Sequence, residues 1–249
     1  MPIPGFTIIN DNAQVACGNC IDLMRSIPDN SVDLVLTDPP YNLGLFMKDR
    51  GTNMEKLRPN HFAFQGWDDL DSKTWTEQME LFMAECHRVL KKKGALVVFM
   101  SIIKVETIIS LAQNNSFYYK TTGIWHKKNP IPRNMNLHFL NSIEPWIYFI
   151  NDGTTGTFNN NGKPIHDFIE TSTISVTEHK RGNHPTQKPV MLLSHFINLL
   201  SNENEVILDP FMGAGSTGVA CAQLKRDFIG IDINESYVQT SIKRIGDKL

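Results

Sequence analysis

Val206-Ile207-Leu208-Asp209-Pro210-Phe211-Met212-Gly213-Ala214-Gly215-Ser216-Thr217-Gly218 begins as a short apolar run, reaches an acid, and continues as a glycine loop into a helix through Leu224. Phe228-Ile229-Gly230-Ile231-Asp232 follows, a second apolar run closed by an acid. Strand, glycine loop, helix, strand and acid in that order make half of a Rossmann unit. The glycines let backbone approach a ligand, the helix amino terminus favours its negative group, and an acid about 20 residues on can accept from both hydroxyls of a ribose. The fold class that follows is α/β, a mostly parallel twisted sheet with helices on both faces. With acids ending both strands, Asp209 and Asp232, a nucleoside cofactor is expected. The loop lacks the Gly-Lys-Ser/Thr of a phosphate-gripping loop, which argues against a nucleoside triphosphate. Gly213, Gly215 and Gly218 keep GxGxxG spacing, so a dinucleotide stays open.

At 249 residues, 41% hydrophobic and 20% charged, the chain suits one large α/β domain with length for a real core. No apolar run approaches the roughly 18 residues of a membrane span. Met1-Pro2-Ile3-Pro4-Gly5 has neither the basic start nor the apolar core of a signal peptide, so a cytoplasmic protein is expected. Four cysteines do not make a disulfide framework in this length and are expected as reduced thiols. Cys17-Gly18-Asn19-Cys20 has CxxC spacing, but no second CxxC completes a zinc site and no metal is expected. A net charge of −2 by itself argues against a nucleic-acid partner. Yet no acid falls between Glu106 and Glu144, where Lys120, Lys127, Lys128 and Arg133 lie with Tyr118, Tyr119 and Trp125. An uncompensated basic stretch with aromatics suits a phosphate backbone; a solvated face is the alternative.

Ahead of the glycine loop, residues 13–17, 34–37, 95–100, 118–126 and 143–150 have the pattern of strands, and residues 20–27, 104–113 and 190–200 that of helices. Another helix, with Ser72 as cap, carries Trp75, Met79, Phe82, Met83, Cys86 and Leu90 at spacings of three and four. Lys91-Lys92-Lys93-Gly94 would close it through the helix dipole and a C′ glycine. Residues 235–245 form a terminal helix. Residues 42–66 show little periodicity, and a loop this long in a compact domain is functional or disordered. Residues 151–183, rich in Asn, Gly and Thr, fit an insertion or irregular lobe rather than core.

Leu34-Val35-Leu36-Thr37-Asp38-Pro39-Pro40-Tyr41 is a buried strand with a hard stop. Each proline biases the residue before it to extended backbone. The chain therefore leaves the sheet stiffly and presents an acid, a carbonyl and a ring where open α/β sheets place their ligands. Asp38-Pro39-Pro40-Tyr41, the loop from Asp209 to Thr217, and His184-Pro185-Thr186-Gln187-Lys188-Pro189 together resemble the motifs of the amino-methylating DNA methyltransferases that use S-adenosylmethionine. The order, catalytic motif first and cofactor motif last, is similar to the permuted β group, and the resemblance covers nearly the whole chain. It implies a Rossmann-like methyltransferase fold with circularly permuted motif order. A catalytic half would occupy residues 1–133, a small irregular target-recognition region residues 134–181, and the cofactor-binding half of the same domain residues 182–249.

The activity implied is site-specific transfer of a methyl group from S-adenosylmethionine to adenine N6 in double-stranded DNA after base flipping. Asp38, Pro39, Pro40 and Tyr41 would be catalytic. Asp38 and the Pro39 carbonyl would accept the two amine hydrogens, which aims the nitrogen lone pair, and Tyr41 would stack on the base. Cofactor contacts would come from Asp22, Asp38, Thr186, Gln187, Lys188, Asp209, Phe211, Gly213, Gly215, Ser216, Thr217 and Asp232. Among these, Asp232 would meet the ribose, Asp22 the adenine amine, Phe211 and Gly213 the methionine end, and Thr186, Gln187 and Lys188 its carboxylate. Lys127, Lys128, Arg133, Lys48 and Arg50 would meet DNA, and the loop 42–66 would be mobile without DNA and close over the flipped base. The partners implied are double-stranded DNA, a second copy of the chain and a cognate restriction enzyme.

In this family an Asp opening the catalytic motif favours adenine N6, whereas cytosine-N4 enzymes more often have Ser; the N4 activity is the alternative. Methylation at cytosine C5 needs a thiolate, usually after a proline, and none of Cys17, Cys20, Cys86 or Cys221 follows one. A non-catalytic DNA-binding partner of a methyltransferase would be expected to lose the acid or the aromatic, and both are kept. An NAD-dependent oxidoreductase would leave Asp38-Tyr41 and His184-Pro189 unexplained.

Overall fold

The computed structural model describes residues 2–43, 70–130, 139–174, 178 and 187–247. Nearly all of the loop expected to close over a base, with Lys48 and Arg50, lies outside these residues, as do Arg133 and Thr186.

Nine strands are described: β1 (Thr7–Asn10), β2 (Ala13–Cys17), β3 (Val32–Thr37), β4 (Leu90–Phe99), β5 (Phe117–Lys127), β6 (Ile143–Asn151), β7 (Phe168–Thr171), β8 (Val206–Asp209) and β9 (Asp227–Asp232). They form one sheet in the order β1-β2-β9-β8-β3-β4-β6-β5-β7. The block from β2 to β4 is parallel throughout. β6 runs antiparallel to both β4 and β5, and β1 antiparallel to β2, while β7 is parallel to β5. The helices are α1 (Cys20–Met24), α2 (Ser72–Val89), α3 (Val105–Asn114), α4 (Val190–Leu200), α5 (Ser216–Leu224) and α6 (Glu235–Gly246).

The central strands are apolar on both faces because helices cover both. Val35, Leu96 and Val98 join Met24, Trp75, Met79 and Phe82 of α1 and α2 in one core. Leu34, Leu36, Val97 and Phe99 join Phe196, Ile197 and Val219 of α4 and α5 in another. Successive residues of one strand thus feed opposite cores, as the two-residue period of a strand requires. Each such side chain, fully buried, contributes roughly 1.5–3 kcal/mol.

This topology fixes where a ligand can sit. β3 continues through α2 to β4 on one side, and β8 through α5 to β9 on the other. The chain diverges between two neighbouring parallel strands, and a crevice opens beyond their carboxyl ends. Thr37 Oγ1 donates to Asp209 Oδ1 across that junction at 2.9 Å, joining residues 172 apart in sequence.

Several expectations need correction. Asp71, not Ser72, caps α2, its carboxylate accepting from the Lys73 and Thr74 amides at 3.0 Å each. α2 stops at Val89 and passes directly into β4, so Lys91, Lys92 and Lys93 are strand residues. Lys93, with φ 68°, takes the left-handed turn assigned to Gly94. β1 and β7 were not expected. Each is four residues long and pairs with one neighbour at a sheet edge, too little to imprint an alternation on the sequence. β7 brings part of the region expected to be irregular into the sheet, with Thr171 buried.

Candidate active site

β3 delivers Asp38 to the crevice, and Pro39 and Pro40 turn the chain so that Tyr41 folds back over it. Tyr41 Oη lies 2.6 Å from Asp38 Oδ1 and 2.6 Å from Glu144 Oε1. Trp75 of α2 donates from Nε1 to the Pro40 carbonyl at 3.4 Å, tying this corner to the helix behind it. Lys188, immediately ahead of α4 and 7% exposed, bonds Asp38 Oδ2 and, at 2.6 Å, Glu144 Oε1. Its ammonium also faces the rings of Phe99 and Tyr41 at 5.1 and 5.9 Å. Lys127, closing β5, reaches Glu144 Oε2 at 2.8 Å.

Two carboxylates, two ammoniums and one phenol therefore meet in a site largely withdrawn from water. Burial pushes the Asp38 carboxyl up, Lys188 pulls against it and the Glu144 charge adds to it, and Asp38 ends above its ordinary range. Burial would do the same to Glu144, but Lys188 and Lys127 outweigh it and hold that carboxyl down at about 2. Burial would strip the proton from Lys188, and the charges of Asp38 and Glu144 keep it in place. Tyr41, largely withdrawn from water beside two carboxylates, stays protonated well beyond its usual range.

The glycine loop forms the other wall. Gly213 N donates to Asp232 Oδ2 at 2.9 Å and Asn234 N to Asp232 Oδ1 at 2.8 Å, so this acid is anchored at the end of β9. Each of its oxygens keeps a second lone pair for a ligand. Gly215 opens α5 with φ 76°, and a Cβ there would lie 2.6 Å from Ser241 Cβ of α6. Only glycine permits both the turn and that approach. Phe211 packs on Phe82 with ring centroids 5.4 Å apart.

The structure brings Asp38, Pro39, Pro40, Tyr41 and Lys188 together, and sets Phe211, Gly213 and Asp232 at the ends of β8 and β9. Three residues expected on the cofactor belong instead to the loop's own scaffold. Asp209 is buried and accepts from Thr37 Oγ1, Thr217 Oγ1 and Phe211 N, which leaves it facing protein. Thr217 is consumed by that bond, and Ser216 is buried beside the Arg244 guanidinium of α6. Asp22 lies exposed on α1, paired with Arg25 at 3.2 Å. Lys188 was expected at a ligand's carboxylate and meets two carboxylates of this chain. The basic stretch, uncompensated in sequence, is compensated in space: Lys127 by Glu144 and Lys128 by Glu170 at 3.2 Å. The four cysteines are free thiols, and no group that could hold a metal ion occurs among the described residues.

Glu144 escaped the sequence reading. Its signal was faint: one acid ahead of a proline, near the head of the largely apolar β6. β6 runs opposite to β4, so its first residues share an edge with the last residues of β3. A nucleoside ligand fits this arrangement, with the anchored Asp232 on one side. On the other, both polar atoms of the Gln187 amide are buried and have no partner among the described residues.

Comparison with known proteins agrees with this geometry. The DNA methylase family matches residues 32–243. The Type II methyltransferase M.HinfI of Haemophilus influenzae is 32% identical over 247 residues, covering 92% of this chain and 67% of that one. M.HpaI of Haemophilus parainfluenzae is 31% identical, covering 93% and 74%. Among solved structures, the M1.HpyAVI–SAM complex superimposes with a TM-score of 0.71 at 26% identity, over 94% of this chain and 98% of that chain. The PvuII DNA methyltransferase, cytosine-N4-specific, gives 0.74 at 17% identity over 96% and 92%, a likeness of fold. With its match spanning both walls of the crevice, the chain is a member of the N6/N4 DNA methylase family.

Proposed function

We propose that this DNA methyltransferase moves a methyl group from S-adenosylmethionine to N6 of adenine in double-stranded DNA, the base having left the helix to enter the crevice. The observation that carries the reading is Asp38 at the divergence of β3 and β8, an acid backed by two prolines and a ring. An exocyclic amine is a poor nucleophile because its lone pair is shared with the aromatic ring. Asp38 and the Pro39 carbonyl accept its two hydrogens and hold the nitrogen towards tetrahedral geometry. Tyr41 supplies the stacking face. Bound S-adenosylmethionine supplies an electrophilic methyl on sulfur. Asp232 suits its ribose hydroxyls, the Gly213 turn and Phe211 its methionine end, and the Gln187 amide, without a partner among the described residues, its polar groups. The M1.HpyAVI complex with SAM supports this choice of donor. The acid at Asp38, where cytosine-N4 enzymes more often carry Ser, supports adenine. The same reading takes a second copy of the chain and a cognate restriction enzyme as partners.

Long-read sequencing of DNA from cells expressing the protein should find N6-methyladenine within a fixed motif; N4-methylcytosine there overturns the choice of base. Asp38→Ala should cut methyl transfer at least about a hundredfold. Binding of S-adenosylmethionine, measured by calorimetry, should change little.

A further inference from the structure

Glu144 is given no task by the mechanism above, yet more of the site converges on it than on Asp38. Its Oε1 meets Tyr41 and Lys188, and its Oε2 meets Lys127. Tyr41 Oη stands 2.6 Å from an oxygen of each carboxylate, but a phenol has one proton to donate. Both contacts are hydrogen bonds only if one carboxyl is itself protonated. Glu144, held between two ammoniums, is the worse place for that proton; Asp38 shares a single ammonium with it. The consistent arrangement has Tyr41 donating to Glu144 and turning its oxygen, as acceptor, to a proton on Asp38. The charged and titratable groups around Asp38 come from its own turn and from three other directions. They are Tyr41 from its own turn, Lys188 ahead of α4, Glu144 at the head of β6 with Lys127 of β5 behind it, and Asp209 at the end of β8.

We propose that Glu144 is a positioning residue for methyl transfer: by drawing the Tyr41 hydroxyl hydrogen and sharing Lys188, it makes Asp38 a better acceptor for the proton the amine must lose. This rests on Asp38 facing the amine, as proposed above. When the nitrogen gives its lone pair to the methyl carbon, the carbon–sulfur pair stays with sulfur and the nitrogen becomes positive. The proton that Asp38 holds in the ligand-free site leaves to solvent as the amine enters, so that after methyl transfer one N–H proton passes to the now ionised Asp38 and the N–H electron pair returns to nitrogen. Asp38 ends as a neutral acid hydrogen-bonded to the Tyr41 oxygen and later releases its proton to solvent. A carboxylate of ordinary basicity is a poor partner for that step near neutral pH, and Glu144 corrects this by its charge and by the direction it imposes on the phenol.

The proton on Asp38 can be read without turnover, by infrared difference titration of the ligand-free protein with Asp38→Asn assigning the band. In Glu144→Gln the Asp38 carboxyl should lose its proton at a pH lower by at least about one unit. The acid limb of kcat/KM should move down with it, and kcat at neutral pH should fall about tenfold. KM for S-adenosylmethionine and for unmethylated plasmid DNA should stay within about twofold, because the step affected follows binding. Tyr41→Phe keeps the ring and removes the oxygen that receives the Asp38 proton, so it should move the titration down as well. A rise in Tyr41→Phe would show the phenol donating to Asp38 and would overturn the proposal, even if Glu144→Gln failed to fold. An unmoved titration and pH profile in folded Glu144→Gln would overturn it too. If Asp38→Ala still methylates, the reading of Asp38 fails first. If that variant is dead while Glu144→Gln behaves as the parent, only the role of Glu144 is lost.

Discussion

Asp209 shows how one side chain can serve a site without facing it. Its carboxyl is buried at the end of β8 and receives hydrogen bonds from Thr37, Thr217 and Phe211 N, so it joins the catalytic strand, the glycine loop and α5. No cation pairs with it in these bonds, and burial pushes it up to about 7 from an ordinary 3.8. The folded state then binds this proton more tightly than the unfolded chain. The stabilisation is fully present below about pH 4 and is lost as pH rises through about 7. Asp209→Asn keeps an acceptor for the rotatable hydroxyls and removes the titration. Urea unfolding between pH 5 and 8 should therefore show the variant gaining on the parent as pH rises. A difference that stays flat over that window would return Asp209 to the ordinary carboxylate range.

At the scale of elements, β5 and β6 matter because their register brings Lys127 to Glu144. Gly123 of β5 stands opposite Trp146 of β6, and a Cβ at Gly123 would lie 2.0 Å from Trp146 Cζ2 and 2.3 Å from the Asp167 carbonyl. The indole occupies the space a side chain would need, and the backbone behind it cannot retreat without breaking the Ile124–Asp167 bond of 2.8 Å. Gly123→Ala should cost about 3 kcal/mol in urea unfolding, at the upper end of overpacking penalties, and should lower turnover by disturbing the Lys127–Glu144 pair. A loss below about 0.5 kcal/mol would mean that Trp146 moves aside freely. This pair also marks the limit of what the sequence could tell. The strands β3, β4, β8 and β9 and the acid-bearing turns were legible because burial on both faces writes long apolar runs and prolines and glycines punctuate them. Asp38 and Asp232 were found that way. Glu144 was not, since its place depends on β6 running antiparallel beside β4, and no local pattern encodes which strand becomes a neighbour. Asp209, Ser216 and Thr217 fell within a legible motif, but the direction of their side chains depends on α6 and β3 packing against the loop.

For the whole molecule, a net charge of −2 means that attraction to DNA must come from where cations stand and not from their number. Lys127 and Lys128 are adjacent in sequence and differ in kind. Lys127 is 20% exposed, faces the Trp125 ring at 5.0 Å and is held on Glu144, itself only 12% exposed; Lys128 is 54% exposed and pairs with Glu170, itself 44% exposed. A phosphate can take Lys128 from Glu170 because both partners are already solvated and the pair is worth little. Taking Lys127 would leave a largely desolvated carboxylate with one cation fewer, a far costlier exchange. Lys128→Ala should therefore weaken DNA binding and flatten the dependence of log affinity on log salt by about 0.9, the contribution of one phosphate contact on duplex DNA. Lys127→Ala should leave that slope unchanged and lower the rate of methyl transfer at saturating DNA, because its charge acts on Glu144. Fluorescence anisotropy across a salt series and single-turnover methylation separate the two. Equal losses of slope in both variants would place Lys127 on the phosphate backbone and remove it from the acid pair.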